Sequence, residues 1–235
     1  MKTLAFAVCF FNIVFLPAQE LVLPPRVDLL QYVDSDSSSV ISNNRYARIW
    51  GWSEDGKIAY SVEGALNSET TFEIEFVVLD LVTDNVLFNF TVYDNEWWAP
   101  GEAEVEIMLN RRRPSILDAM KTHGIIEQRT DFMPFPFHRN GTVYDAQIVD
   151  IEYGITEFWD FEVPVKYSVL VTANGKGKTI GSFIPYPWLG SVHVCGYFIS
   201  PFEDRALAVV AEVLGQYQHG GVLFKFSGFH LEKGF

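Results

Sequence analysis

Alternation with a period of two runs through most of the chain, so extended strands are its main predicted element. Residues 71–80 (TFEIEFVVLD) alternate and then become continuously apolar, the pattern of a strand with one buried end. Ile49-Trp50-Gly51-Trp52-Ser53 and Ile58-Ala59-Tyr60-Ser61-Val62 flank Glu54-Asp55-Gly56-Lys57, where Gly56 suits the positive φ of a tight turn. Thr83-Asp84-Asn85 is a second turn, leading into VLFNFTVY at 86–93. Four strands with short turns between 48 and 94 predict one twisted antiparallel meander. A second all-β stretch occupies 142–235. Its segments are 144–153 and 158–163 around an irregular turn, 165–172 and 179–184 joined by Ala173-Asn174-Gly175-Lys176-Gly177-Lys178, then 192–199, 206–213 and 222–231. Asn140-Gly141 and Asn174-Gly175 are hairpin turn signals.

Three segments break the alternation. Residues 1–19 carry Lys2, an apolar run from Leu4 to Leu16, Pro17 and small Ala18, the layout of a secretory signal peptide cleaved after Ala18 or Gln19. The run is about 13 residues, short of the ~20 that span a bilayer core. The alternative is a buried N-terminal strand or helix. Residues 95–140 form a helical insertion and connector between a β unit at 20–94 and another at 141–235. Within it, acidic residues cluster from Glu102 and Ile116, Leu117 and Met120 share a face. His123-Gly124 reads as a stop, which predicts a helix near 102–123. It is either one helix from Glu102 or a shorter one starting at Pro114. Arg111-Arg112-Arg113 reads as a solvated face. Met133-Pro134-Phe135-Pro136-Phe137 is a connector, since its prolines forbid a central strand.

Composition sharpens this picture. Hydrophobic residues make up 49% of the 235 and aromatics 15%, which excludes general disorder. The formal net charge of −13 argues against nucleic acid and anionic membrane surfaces, because both need clustered Lys/Arg. Of the two cysteines, Cys9 lies inside the leader; too few apolar residues precede it for a lipid-anchored export signal. Leader removal leaves Cys195 alone, so stability comes from packing without an intramolecular disulfide.

The chain also echoes itself. Gly51-Trp52-Ser53-Glu54-Asp55-Gly56-Lys57-Ile58-Ala59-Tyr60 has a counterpart in Gly196-Tyr197 through Ser200, Glu203, Asp204, Arg205 and Leu207-Ala208-Val209. WSEDGKIAY followed by VVLDLVTDNVLF resembles a blade of TolB-type or WD40-like β-propellers, and YFISPFEDRALAVV resembles a second, degenerate copy. Glu54 stands where such blades have proline and Asn85 where they have glycine. A closed ring takes 4–8 blades of about 40–45 residues, and five would already consume the chain after leader removal and leave no room for the helix. The resemblance therefore implies two blade-like antiparallel sheets, as a partial propeller or sandwich-like pair, with one helical insertion. The other reading of the echo is ordinary hairpin chemistry.

Candidate chemistry is sparse. The five histidines form no H-x-x-x-H pair, and His193-Val194-Cys195 offers two soft ligands with no third nearby; no metal is expected. There is no G-x-S-x-G, and the spacing around Gly175 and Gly177 is not that of a phosphate loop. No Asp-x-Asp-x-Asp-Gly loop surrounds Asp34 and Asp36. No cofactor is implied. Glu157, Asp160 and Glu162 surround Trp159, an arrangement suited to sugar binding or two-carboxylate hydrolysis. Trp97, Trp98, Phe132, Phe135, Phe137, Trp159, Tyr186 and Trp188 lie in connectors, where large aromatics either cap the sheets or make a binding patch. These features predict an exported binding or interaction protein using Trp97, Trp98, Trp159 and Trp188, with another envelope protein as partner and no span after leader removal. The alternatives are a hydrolase acting beside Trp159 and a structural accessory without a ligand.

Overall fold

The computed structural model describes residues 22–33, 45–65, 71–94, 100–156, 159–187, 189–214 and 221–235, with the side chains of 94 and 156–161 excepted. The predicted leader and the polar loop around Asp34 and Asp36 lie outside these. Among the described residues, twelve strands and one α-helix run in the order β1 (Val27–Asp28), β2 (Arg45–Trp52), β3 (Lys57–Ala65), β4 (Phe72–Asp80), β5 (Asn85–Asp94), α1 (Glu102–Thr122), β6 (Phe137–Arg139), β7 (Thr142–Thr156), β8 (Trp159–Ala173), β9 (Lys176–Phe183), β10 (Leu189–Ile199), β11 (Arg205–Leu214) and β12 (Val222–His230). A 3₁₀ turn covers Leu30–Tyr32. The molecule is mainly β, as its alternation predicts.

The strands form three antiparallel sheets, none closed, where the sequence grouping predicts two. The first sheet is β1-β2-β3-β4-β5, the outer sheet β6-β7-β8-β9 and the middle sheet β10-β11-β12. The C-terminal stretch divides between β9 and β10. Instead of extending the outer sheet, β10 turns to face it, and the division buries both faces of β11. That strand is accordingly almost continuously apolar, Ala206-Leu207-Ala208-Val209-Val210-Ala211. β6 precedes residue 140 yet pairs with β7, Phe137 facing Tyr144, so the Asn140-Gly141 hairpin belongs to the outer sheet.

Three apolar layers separate four structural layers. Helix α1 buries Val105, Met108, Leu109, Ile116, Ala119 and Met120 against Trp50, Ile74, Phe76 and Val78 of the first sheet. The other face of that sheet sends Ile49, Trp52, Ile58, Tyr60 and Leu79 against Phe198, Leu207, Val209 and Val213 of the middle sheet. Tyr197, Ala208, Val210 and Phe229 on the far side of the middle sheet meet Tyr144, Tyr167, Val169 and Val171 of the outer one. Helix α1 is one helix from Glu102 with Pro114 inside it. It closes with the N–H of Ile125 donating to the Met120 carbonyl (2.8 Å) and that of Gly124 to Lys121 (3.3 Å), as a left-handed Gly124 (φ +68°) allows.

The two glycines of the echo share a local geometry. Gly51 and Gly196 each sit at a register shift, between Ile49 and Gly51 in β2 and between Val194 and Gly196 in β10. One extra residue reverses the side-chain phase. Trp50 thus faces the helix while Trp52 faces the middle sheet, and Cys195 and Tyr197 likewise diverge. Beside each glycine runs the connector after α1. Trp52 and Ile126 exchange backbone hydrogen bonds of 3.0 and 2.8 Å, and Tyr197 and Met133 exchange bonds of 2.8 and 3.1 Å. A Cβ on Gly51 would stand 2.2 Å from the Ile126 carbonyl oxygen, and one on Gly196 2.3 Å from that of Met133.

The two strands expected at 158–163 and 165–172 fall, from Trp159 onward, in the single strand β8, with residue 158 outside the described residues. Pro164 is accommodated because β9 pairs with β8 only from Tyr167 onward, so no strand on that side needs its missing N–H. Gly51→Ala is expected to lower unfolding stability by about 3 kcal/mol, since backbone must move to admit the methyl group. Gly124→Ala has open space at its Cβ and is expected to cost only about 1 kcal/mol, its positive φ being the sole penalty. Urea melts of the two variants check this difference.

Candidate functional site

Charged side chains bind the layers at three joints. In the first, Arg48 and Glu63 are fully buried on the helix-facing side of β2 and β3. Arg48 donates to Glu63 (3.1 Å), to Glu102 at the start of α1 (2.6 Å) and to the Pro24 carbonyl. Arg26 also contacts Glu63 (2.5 Å) and Glu102 (2.9 Å), and its guanidinium lies over the Tyr46 ring. Two arginines and two glutamates thereby fasten the lead-in strand and the helix to the sheet. In the second, Arg45 bonds Glu73 across Gly64, which leaves no side chain between them, and reaches the Val222 carbonyl of the middle sheet (3.0 Å). Burial raises the Glu73 carboxyl and lowers Arg45, outweighing their mutual attraction in both. In the third, Tyr167 of the outer sheet donates to the buried Glu212 of β11 (2.8 Å), which also accepts the Tyr186 N–H. These groups pair with one another and are structural, with Arg45 Nε and Glu63 Oε2 the atoms left without a hydrogen-bond partner among the described residues.

A fourth contact joins the β4–β5 turn to the middle sheet. Asp84 accepts the Gly228 N–H (2.8 Å) and the Ser227 hydroxyl (3.1 Å). Burial raises its carboxyl above the ordinary 3.8, more than these two bonds lower it.

Of the residues singled out in the sequence, Trp97, Trp98 and Trp188 lie outside the described residues. Trp159 is placed by its backbone, opposite Thr156 at the tip of the β7–β8 ribbon. The side chains of Glu157 and Asp160 are likewise outside, and Glu162 is exposed. Phe132, Phe135 and Phe137 cap the sheets: Phe132 packs on Tyr32 and Phe198 at 4.6 and 4.9 Å, and Phe137 stacks between Tyr144 and Tyr197 at 4.7 and 4.0 Å. Cys195 is buried, its thiol pushed up to about 12, so it is no nucleophile. The His193 imidazole meets the Ser191 hydroxyl at 2.9 Å. Among the described residues no three His, Cys, Asp or Glu side chains gather as a metal site. Asn174 and Gly175, both at positive φ, form the β8–β9 hairpin turn.

Two features remain that packing does not use. The first is the ribbon. β7 and β8 are 15 residues each, but β9 pairs with β8 only over Tyr167–Ala173 and β6 pairs with β7 only over Thr142–Tyr144. Beyond Val149 no other described strand pairs with these two, and Glu152 bridges Lys166 (2.7 Å). Ile151, Tyr153 and Ile155 of β7 are exposed there, by 40, 59 and 72%. Sequence reasoning placed a turn near this point and missed the extension, because strand length beyond a partner is not encoded in local alternation.

The second is a cavity of about 270 Å³ at the opposite end of that hairpin sheet. The β6–β7 and β8–β9 turns form its rim, with Asp204 and the segment after β12 on the other side. Arg139 donates to Asp204 (2.6 Å), Asn174 to the Thr142 hydroxyl (3.1 Å) and the buried Tyr144 hydroxyl to the Leu231 carbonyl (2.7 Å). His230 Nδ1 accepts the N–H groups of Glu232 and Lys233 (3.1 and 3.2 Å), folding Phe235 against Tyr144. Burial and then Lys233, Arg205 and Lys178 lower its pKa, keeping the ring neutral as an acceptor must be. No signal in the sequence pointed to this cavity, whose walls come from four separated segments.

No protein-family model, curated protein or solved structure matches the chain. No described helix is long and apolar enough to cross a membrane.

Glu63→Gln is expected to cost about 3 kcal/mol, because it removes the buried one of the two carboxylates that Arg48 and Arg26 share; denaturant unfolding reads it. Asp84 gives a pH signature. Its folded pKa is raised, so its contribution to stability is complete below the ordinary 3.8 and is lost as pH rises through the folded value. Wild type is therefore expected to lose stability relative to Asp84→Asn between acid and neutral pH, in paired melts across that range.

Proposed function

We propose that this is an exported interaction protein that holds a partner protein on the free ribbon of β7 and β8. The observation that carries the reading is the exposure of Ile151, Tyr153 and Ile155 on a strand whose outer edge has no described partner beyond Tyr144. Two lone strands are marginal in water, and a long apolar edge is an aggregation hazard that folds ordinarily blunt or cover. A covering strand resolves both. Main-chain hydrogen bonds supply the attachment, and alternate side chains set the specificity. Asp145, Asp150, Glu152 and Glu162 line this part of the hairpin against the one Lys166, on a chain of net charge −13. The fitting occupant is an extended segment of another protein that alternates apolar residues with Lys or Arg. Trp159, whose backbone lies at the tip of the ribbon, is kept among the proposed binding residues. The shared geometry at Gly51 and Gly196 supports reading the first and middle sheets as blade-like units of an incomplete propeller, a scaffold from which the ribbon projects.

A ten-residue peptide alternating valine and lysine tests the reading in hydrogen-exchange mass spectrometry of the full chain. Binding is expected to protect the amides of 145–156 and to weaken about tenfold or more in the double variant Ile151→Ser, Ile155→Ser with its melting temperature retained. Absence of protection on that edge would overturn the proposal. Partition of the ribbon onto phosphatidylcholine vesicles with no peptide protection would reassign it to a membrane surface.

A further inference from the structure

We propose that the cavity rimmed by the β6–β7 and β8–β9 turns binds a neutral sugar, one pyranose ring in size. Its volume of about 270 Å³ lies just below the range of drug-sized ligands, which suits a single small ring. The charged side chains that line it balance: Arg139 and Lys176 against Asp204 and Glu232. An anion site needs an excess of positive charge, and a cation site an excess of carboxylates; neither exists here. What the lining offers instead is donors and acceptors side by side. Asn174 donates its amide N–H to Thr142 and keeps its carbonyl free to accept, and Asn140 presents a second amide from the facing turn. Arg139 gives one N–H to Asp204 and retains others. A sugar hydroxyl both donates and accepts, so it matches paired amides and a guanidinium–carboxylate pair, whereas a purely apolar ligand would leave them unpaired. Tyr144 and Phe235 add an apolar wall for the C–H face of the ring.

Both amides sit at positive φ, Asn140 at +50° and Asn174 at +52°, in two-residue turns. Glycine tolerates that conformation, so Asn140→Gly and Asn174→Gly remove the amides without removing the turns. The test is NMR titration of the isotope-labelled full chain with methyl glucoside, methyl galactoside, N-acetylglucosamine, glucuronate and inorganic phosphate. At least one of the three neutral sugars is expected to give saturable shifts at Thr142, Lys176 and Leu231, with a dissociation constant on the order of 1 mM, weakened about tenfold by either glycine variant. Thr142→Val is a further variant, with a side chain of similar shape that lacks only the hydroxyl. Shifts with glucuronate or phosphate alone would make this an anion site and overturn the proposal. So would no shift at these residues with any neutral sugar, or undiminished affinity in all three folded variants.

Discussion

Two close approaches of backbone to backbone govern the architecture. The connector after α1 lies against β2 at Gly51 and against β10 at Gly196, exchanging a pair of hydrogen bonds at each. Between these points Thr130 accepts the Trp52 indole N–H (3.2 Å) and Phe132 enters the core between the first and middle sheets. One strap therefore ties two sheets that share no strand. Only a residue without a Cβ admits it, and the same residue makes the bulge that turns Trp52 and Tyr197 to the required faces. Without the phase reversal, each sheet would place its large aromatic on the wrong side and leave one interlayer core unfilled.

Electrostatics follows from the layering. Stacked sheets bury the centres of their strands on both sides, and polar residues there must pair. Arg45, Arg48 and Arg26 are spent on Glu73, Glu63 and Glu102, and Glu212 on Tyr167. Each arginine drawn into these joints takes a glutamate with it, so the acidic bias given by the net charge of −13 is left to the rest of the chain. That bias favours neutral or basic partners on the exposed ribbon, and it makes the balanced lining of the sugar-sized cavity a local exception.

The strands, the hairpin turns and the helix were legible because each is a short-range pattern. Residues 71–80 show their buried end as an apolar run, Asn174-Gly175 shows its turn by type, and Gly124 marks the helix stop. The outcome for the connector phenylalanines was half legible. Their size and position announce either capping or binding, and Phe132, Phe135 and Phe137 cap. The ribbon and the cavity were not legible. Pro164 looked like a strand break because sequence does not reveal that β9 ends before reaching it. The cavity joins residues 139–144, 173–176, 204 and 231–235, whose proximity no local pattern records.

Residue order was enough for the class of fold, for the antiparallel pairing of neighbours in the chain, and for the lack of any nucleotide- or phosphate-binding motif. Those follow from side-chain periodicity and from turn residues, which act over a few positions. Only the packing of the layers settled that the described strands form three sheets in place of two, which arginine meets which glutamate, and which strand edge has no described partner. These depend on how much apolar surface each face must hide, a quantity settled only when distant segments compete for the same neighbours.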